Sequence, residues 1–198
     1  VGYGAIFETA RILNTFREQL STVELLTFNP GMIVGGTTID YQEQKSLGEA
    51  FGKSNVIAQT AKVTGGIRAA SPEQLAIAKK TMFEITAKNL AKTSAQLSFD
   101  EGYPPMASTQ GNSQLLALYN QASLDLGFGV VAAVDPRKAG AADISFAANH
   151  VDMALDGLGL MGKGGHTKGE VADMRSFAQN IQKATLLIYR LSQVSSNK

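Results

Sequence analysis

The chain has 198 residues, enough for one large or two small domains, each with its own core. Its 18 basic and 17 acidic side chains give a net charge of +1, which excludes the strongly basic surface typical of proteins that bind nucleic acid or anionic membranes. No apolar run is long enough to span a membrane. We therefore expect a globular protein that binds a small molecule or another protein, and neither nucleic acid nor a membrane.

The first half of the sequence predicts helices packed on an antiparallel sheet. Apolar residues at helical spacing indicate a helix near residues 3–20. Two strands are predicted, at residues 25–36 with a turn at Asn29-Pro30-Gly31 and at residues 55–68, separated by a polar loop over residues 37–53. Ser71 and Pro72 begin a helix that runs to about residue 91, and residues 95–99 alternate as a short strand. This order predicts an α+β fold for residues 1–107.

The composition changes at Ser108, which is the predicted start of a second domain at residues 108–198. A helix carries Leu115, Tyr119, Ala122 and Leu126 on one face. Predicted elements then alternate between strand and helix: a strand at residues 128–134, a helix at 142–149, a strand at 153–158 and a long helix after residue 170. Alternation of this kind favours a parallel α/β sheet, but two strands do not complete one. The second domain is therefore expected to need a further segment.

A glycine-rich stretch, DGLGLMGKGGHTKGE at residues 156–170, is the strongest candidate for a binding loop. Gly157, Gly162 and Lys163 have the spacing of a phosphate-binding loop, but Gly164 stands where that loop needs Ser or Thr to bind magnesium and to begin the helix. The other interpretation is that His166 offers a neutral imidazole to a metal. The stretch alone is also consistent with a surface histidine in a glycine-rich turn.

The histidine and cysteine counts limit any metal site. There is no cysteine, so the metal ligands must be His, Asp or Glu, and disulfides are excluded. The chain has two histidines, His150 and His166, so it cannot build a three-histidine site by itself. The lack of cysteine slightly favours the periplasm over the cytoplasm.

Six short motifs in order resemble metallopeptidase family 20, the co-catalytic zinc hydrolases that include glutamate carboxypeptidases, aminoacylases and acetylornithine deacetylases. The resemblance covers almost the whole chain. Its motifs are Asn29-Pro30-Gly31 with Ile33 and Gly35-Gly36, then Ser54-Asn55-Val56-Ile57, Ile67-Arg68, Gly102-Tyr103-Pro104-Pro105, Ala139-Gly140-Ala141-Ala142-Asp143, and Gly157-Leu158-Gly159 with His166-Thr167 and Glu170.

The resemblance implies a specific domain organisation. Residues 1–107 would be the lid, or dimerisation, domain without its first strand, and residues 108–198 the carboxy-terminal segment of an α/β zinc-hydrolase domain. Two zinc ions, most of their ligands and a general-base glutamate would belong to the intact enzyme, with the glutamate and those ligands upstream of Val1. The 198 residues are therefore expected to be inactive alone and to form a homodimer through the lid.

The resemblance also implies residue roles. His166 matches a late zinc ligand, Arg68 the residue that grips the free carboxylate of the substrate, and Asn55 a residue that polarises the scissile carbonyl. Gly140 and Ala141 match a backbone segment that approaches the substrate. The residues alone also allow an exposed strand-end arginine at Arg68 and a turn asparagine at Asn55.

A length argument predicts that the active sites are shared between subunits. If residues 55–68 form one strand, Asn55 and Arg68 lie about 43 Å apart at about 3.3 Å per residue. One small substrate could not contact both residues of one chain. We therefore expect each site to take Arg68 from one subunit and Asn55 from the other.

Three departures from the family bear on the substrate. Gly66 and Ala58 replace Asp and Pro of many relatives, and Tyr103 stands at a substrate-binding position that is arginine in the glutamate-cleaving relatives. A second carboxylate clamp, and glutamate specificity, are therefore in doubt. The expected activity is hydrolysis of an amide next to a free carboxylate, in a small peptide or an N-acyl amino acid. The alternatives are an N-acyl-amino-acid deacylase of the same family and a non-catalytic dimerisation or binding module.

Overall fold

The structure is a computed structural model that describes residues 2–195. It divides into two compact units, residues 1–107 and 108–198. The first unit combines two long helices with antiparallel strands, and the second is mainly helical. The predicted fold class, an α+β domain followed by a further segment, is confirmed.

Two helices of the first unit begin close to where the sequence predicts them. They are α1 (Ala5–Leu20) and α2 (Pro72–Thr86). Ser71 caps α2 as expected, because its Oγ accepts a hydrogen bond from the backbone N–H of Gln74 at 3.1 Å. However, α2 ends five residues before the predicted end. Beyond it, the backbone N–H of Leu90 donates to the carboxylate of Glu8 on α1 and not to a helix carbonyl.

The first unit contains four strands: β1 (Thr27–Gly36), β2 (Thr38–Gln42), β3 (Leu47–Phe51) and β4 (Thr60–Arg68). β1 and β4 pair antiparallel, with Thr27 opposite Arg68 and Gly36 opposite Thr60. The expected turn at residues 29–31 is wrong, because β1 continues through a β-bulge between Pro30 and Met32. A Cβ atom at Gly65 would lie 2.3 Å from the carbonyl oxygen of Asn29, so the bulge requires glycine on the facing strand.

The prediction of a polar loop at residues 37–53 is also wrong, since β2 and β3 form a β-hairpin there. The hairpin packs on the sheet face opposite α1. A Cβ atom at Gly48 would lie 3.1 Å from Val34, whereas one at the neighbouring Gly35 would lie 3.1 Å from Ile6 of α1. Successive strand residues point to opposite faces, so these two contacts place the hairpin and α1 on either side of β1.

The core of the first unit lies between the helices and the sheet. It contains the buried side chains Phe16, Leu20, Leu26, Ala78, Met82 and Ile85. Leu97 and Phe99 pack against this core, and Phe99 meets Phe83 edge-to-face at 5.4 Å. Residues 95–99 alternate between half-buried and exposed, as predicted, but they form no strand. Alternation reports which face is buried, whereas a strand also needs a hydrogen-bonded neighbour.

The second unit is built on two long helices, α3 (Gln110–Asp125) and α5 (Met174–Ser195), with a short α4 (Ile144–Ala147) between them. The predicted helix at residues 142–149 is therefore shorter than expected and continues as a 3₁₀ turn, Ala148–His150. An ion pair of 2.6 Å between Arg190 and Asp125 joins α5 to α3. Tyr119, Ala122, Ala154 and Leu187 form the buried apolar part of this unit.

The predicted strands at residues 128–134 and 153–158 do not form in the described part of the chain. Their backbone instead bonds to polar side chains of α3. The N–H of Val131 donates to Asn120 Oδ1 at 2.7 Å, and the N–H of Ala154 donates to Asn112 Oδ1 at 2.8 Å. The strands of this unit are a two-residue pair, β5 (Gly162–Lys163) and β6 (Val171–Ala172).

The predicted final helix forms as α5, but most of its apolar face, spaced at three- and four-residue steps, is exposed. The exposed residues of that face are Met174, Phe177, Ile181 and Ile188. The buried face carries Ser176, Asn180 and Leu187 instead. Among residues 2–195, no helix has both the length and the apolar content needed to cross a membrane.

Candidate functional site

Arg68 and Asn55 lie at opposite ends of the β1–β4 sheet. Arg68 ends β4 opposite Thr27, the first residue of β1. Asn55 is in a turn, closed by the backbone N–H of Val56 donating to Lys53 at 3.0 Å, and the predicted strand at residues 55–68 is therefore too long by five residues.

The turn of Asn55 is held near the last residue of β1. On one side of it, Thr37 N–H donates to Phe51 at 2.8 Å, and on the other, Gln59 N–H donates to Gly36 at 2.9 Å. The eight steps from Thr60 to Arg68 span about 26 Å at about 3.3 Å per residue. Because the turn of Asn55 lies near the Thr60 end of β4, Asn55 and Arg68 are separated by about the length of this strand. This separation is smaller than the 43 Å expected for one continuous strand, but it still exceeds the length of a dipeptide, about 7 Å.

The remaining candidate substrate residues lie in exposed loops. Tyr103 is in a bend of the first unit and is exposed. Gly140 and Ala141 follow the 3₁₀ turn Pro136–Lys138 in the second unit and are also exposed. Asp143 directly precedes α4 and makes no side-chain capping bond to it.

His166 lies at the tip of the β5–β6 hairpin. The pairs of this hairpin are Gly162 with Ala172 and Lys163 with Val171. Thr167 closes the tip, since its N–H and its Oγ1 both donate to the carbonyl of Gly164, at 3.1 and 2.7 Å, and its Oγ1 accepts from Gly169 N–H at 3.2 Å.

The backbone of His166 has a positive φ of 64°. Histidine adopts this left-handed conformation more often than most side chains do, but it still costs about 1 kcal/mol relative to an ordinary helical or extended one. The imidazole is carried on an exposed residue. The tip therefore carries one exposed histidine in a left-handed backbone conformation that ordinary residues rarely adopt.

The phosphate-loop interpretation does not fit this geometry. Such a loop delivers its phosphate-binding amides at the first turn of a helix, directly after the Gly-Lys pair. Here Gly162 and Lys163 are a β-strand, and the next helix begins at Met174.

The described residues do not complete a metal site. Within them, no group of three or more His, Cys, Asp or Glu side chains is placed to hold an ion. His166 fits a zinc ligand in its chemistry, because it presents an exposed imidazole, but it would supply one ligand of the four that zinc takes.

Sequence reasoning missed the polar side chains that hold the loops of the second unit. Ser123 and Asn120 on α3 bond the backbone at residues 129 and 131, and Ser176 and Asn180 on α5 bond the backbone at residues 161 and 159. The available signal was a set of Ser and Asn residues inside helices, where they are unfavourable unless their side chains have partners.

Comparison with known proteins identifies the first unit. Residues 1–94 match the family described as "Peptidase dimerisation domain". Carboxypeptidase G2 of Pseudomonas sp. (strain RS-16) is 28% identical over 152 residues, which cover 74% of this chain and 35% of the relative. The chain thus spans about a third of the length of this curated relative. Residues 1–94 are therefore similar to the peptidase dimerisation domain family, and the resemblance of the chain to metallopeptidase family 20 is confirmed.

Proposed function

We propose that the chain is the lid and the carboxy-terminal catalytic segment of a zinc-dependent metallopeptidase that hydrolyses an amide bond next to a free carboxylate. The observation that carries this proposal is the extent of the match to carboxypeptidase G2. It covers 152 residues, more than the 107 residues of the first unit, so it includes part of the second unit as well. A shared dimerisation domain alone would not produce such a match.

The proposed roles divide between the two units. Arg68 binds the free carboxylate through its planar guanidinium, and Asn55 donates to the carbonyl oxygen of the scissile amide. Gly140 and Ala141 present backbone to the substrate, Tyr103 contacts it, and His166 is a ligand of one of two zinc ions. Zinc supplies Lewis-acid activation of the amide when bound. The remaining ligands and the general base would come from outside the 198 residues, which are inactive alone.

The substrate class follows from Arg68 and from the residues around it. A bidentate arginine selects a planar carboxylate, which both small peptides and N-acyl amino acids carry. Tyr103, which stands where the glutamate-cleaving relatives carry arginine, provides no second positive charge for an acidic side chain. We therefore propose specificity for the free carboxylate and not for a glutamate side chain.

The ligand role of His166 predicts a specific loss of metal. In the full-length protein, His166→Ala is expected to weaken or abolish zinc occupancy at one of two sites, because a site that loses one of its protein ligands loses much of its affinity. Metal analysis after dialysis measures this, with His150→Ala as the matched control on the same unit. Unchanged occupancy at both sites would refute the assignment.

The peptidase dimerisation domain favours a homodimer, and we propose that α1 and β1 form its interface. β1 pairs with β4 only, so within the described residues its other edge has no strand neighbour. Ile6 of α1 lies over Gly35 near one end of β1. At the other end, Leu13 and Arg17 of α1 face Phe28 and Pro30 of β1 across an open groove of about 600 Å³.

Exposed apolar residues continue this surface. Ile6 and Phe7 on α1 and Ile33 on β1 are all at least half exposed, although large apolar side chains at a monomer surface are normally scattered. A two-fold axis beside β1 would bring the same surface of two chains together. The open strand edge would then be covered, which removes a site of unspecific strand pairing.

This interface predicts that Phe7→Glu weakens dimerisation without unfolding the protein. Phe7 is 67% exposed, so its replacement costs the folded monomer little, whereas a charge in the centre of an apolar interface opposes association. Sedimentation equilibrium over a range of concentrations measures the monomer–dimer constant. Ile77→Glu on α2, also 67% exposed, is the matched control and should leave dimerisation unchanged. Equal dimerisation of both variants would place the interface elsewhere.

A further inference from the structure

Two polar side chains on α5, Ser176 and Asn180, are buried where a helix normally packs apolar residues. Ser176 is 8% exposed and Asn180 is 7% exposed. They are four residues apart and therefore share one face of the helix. A polar side chain in such a position is stable only if it has hydrogen-bond partners.

The partners of both residues lie in the segment that leads to the glycine-rich hairpin. Ser176 Oγ accepts from the backbone N–H of Met161 at 2.9 Å and donates to the carbonyl of Asp173 at 2.6 Å. Asn180 Nδ2 donates to the carbonyl of Gly159. Asp173 N–H in turn donates to the carbonyl of Met161 at 2.8 Å. The segment 159–161 is thus hydrogen-bonded to α5 at both of the segment's ends.

The position of the β5–β6 hairpin depends on these hydrogen bonds to α5. Residues 156–161 have no regular secondary structure, and β5 begins at the next residue. The hairpin itself has two residue pairs, which is too short to be stable alone. Its direction is therefore set where its two arms meet α5, at Met161 on the incoming side and Asp173 on the outgoing side.

We propose that Ser176 and Asn180 are positioning residues that fix the direction in which the hairpin presents His166. This inference rests on the proposed function, in which His166 binds zinc. A histidine nitrogen binds zinc at about 2.0–2.1 Å. Because the other ligands would hold the zinc ion in place, a shift of the hairpin by about 0.5 Å is enough to weaken the bond between His166 and zinc. His166 itself is exposed at the tip of the hairpin.

The test compares Ser176→Ala and Asn180→Asp in the full-length protein. Asn180→Asp keeps the shape of the side chain and removes the N–H that bonds Gly159. Each variant is expected to weaken zinc binding at one site about tenfold, as loss of outer hydrogen bonds around metal ligands does. Amide hydrogen exchange at residues 162–172 is expected to accelerate in the metal-free protein, which is a readout independent of activity.

Two controls separate positioning from general damage. Ser176→Thr keeps the hydroxyl and should restore both zinc affinity and hydrogen exchange towards wild type. Gln179→Ala changes an exposed residue of the same helix and should alter neither. If Ser176→Ala does not fold, Asn180→Asp and Ser176→Thr still carry the comparison.

His166→Ala, measured in parallel, distinguishes the two ways of failing. If His166→Ala weakens zinc binding and the α5 variants change neither zinc binding nor exchange, the positioning role is overturned and the proposed function stands. If His166→Ala leaves zinc binding unchanged, the ligand assignment is wrong and the positioning role falls with it.

Discussion

Replacement of Glu8 by alanine is expected to destabilise the protein by about 3 kcal/mol, because it leaves a cation and a backbone donor without their partner. Glu8 on α1 is 2% exposed and accepts from Arg11 Nη2 at 2.6 Å, from Arg11 Nε at 3.1 Å and from Leu90 N–H at 3.0 Å. Arg11 also donates to the carbonyl of Ile85 at 3.2 Å. The Glu8–Arg11 pair therefore joins α1 to the end of α2, through Arg11, and to the chain beyond it, through Glu8.

The same carboxylate makes stability depend on pH in the acid range. The hydrogen bonds from Arg11 lower the pKa of Glu8 from its usual range and outweigh the opposing effect of burial. A carboxyl group whose pKa is lower in the folded state stabilises the fold above its unfolded pKa, about 4.3 for glutamate, and this contribution is lost as pH falls through the folded value. Glu8→Gln should therefore flatten the pH dependence below about pH 4.3.

Urea denaturation at pH 7 and in acid measures both effects. Glu18→Ala is the matched control, because Glu18 lies on the same helix but its contacts with Asn14 and Arg17 are exposed, and such pairs contribute about 0–1 kcal/mol. An unfolding free energy of Glu8→Ala within about 0.5 kcal/mol of wild type, the range of ordinary surface substitutions, would show that Arg11 and Leu90 N–H find other partners.

Glu8 also shows how far sequence patterns define a helix. The apolar spacing predicts α1 itself correctly, and Phe16 and Leu20 of its predicted stripe are buried. The stripe also includes Ile6, which is half exposed, whereas the buried face carries Glu8. The spacing of apolar residues does not show what covers them. It therefore cannot distinguish a core-facing surface from an intermolecular one, and it leaves out a charged residue that is buried with its partner.

The same limit applies to α5. Its predicted apolar face is a real stripe, but Met174, Phe177, Ile181 and Ile188 are exposed on this unit. The hydrogen bonds of Ser176 and Asn180 decide which face packs inward, and those bonds join residues 15 and 21 positions apart in the chain. The periodicity of apolar residues contains no information on contacts between residues so far apart in the sequence.

Strands were harder to predict than helices for a related reason. A helix forms its hydrogen bonds within itself, so Ser71-Pro72 was sufficient to locate the start of α2. A strand forms them with another segment. Residues 95–99 and 128–134 have strand-like sequences but no strand neighbour in the described residues, whereas the polar residues 38–42 do find one in residues 47–51.

The candidate site was predictable in its residue types and less so in its geometry. The glycine-rich stretch singles out His166 as a candidate ligand, and the structure adds the hairpin and the left-handed backbone that present it. Asn55 and Arg68 were expected on one strand, but Asn55 precedes β4 in a separate turn. They nevertheless lie at opposite ends of the sheet.

Neither Asn55→Ala nor Arg68→Ala is expected to be active in the full-length protein, but a mixture of the two should regain activity. Loss of a donor to the developing oxyanion costs about 10²–10³-fold in rate, and removal of one partner of a buried charge pair costs a comparable factor. The strand between them spans about 26 Å, so one substrate of dipeptide size cannot contact both residues of one chain. We therefore expect each site to take Arg68 from one subunit and Asn55 from the other.

In a mixed dimer of the two variants, one site therefore lacks both residues and the other keeps both. Equal mixing yields mixed dimers as half of the population, so about a quarter of the wild-type activity should return if subunits exchange at random. The decisive control mixes Arg68→Ala with the double variant Asn55→Ala/Arg68→Ala. That mixed dimer has no Arg68 in either site and should remain inactive, although its subunits exchange in the same way. If the first mixture stays as inactive as this control while mixed dimers are detected by mass, Asn55 and Arg68 do not act on one substrate across the interface.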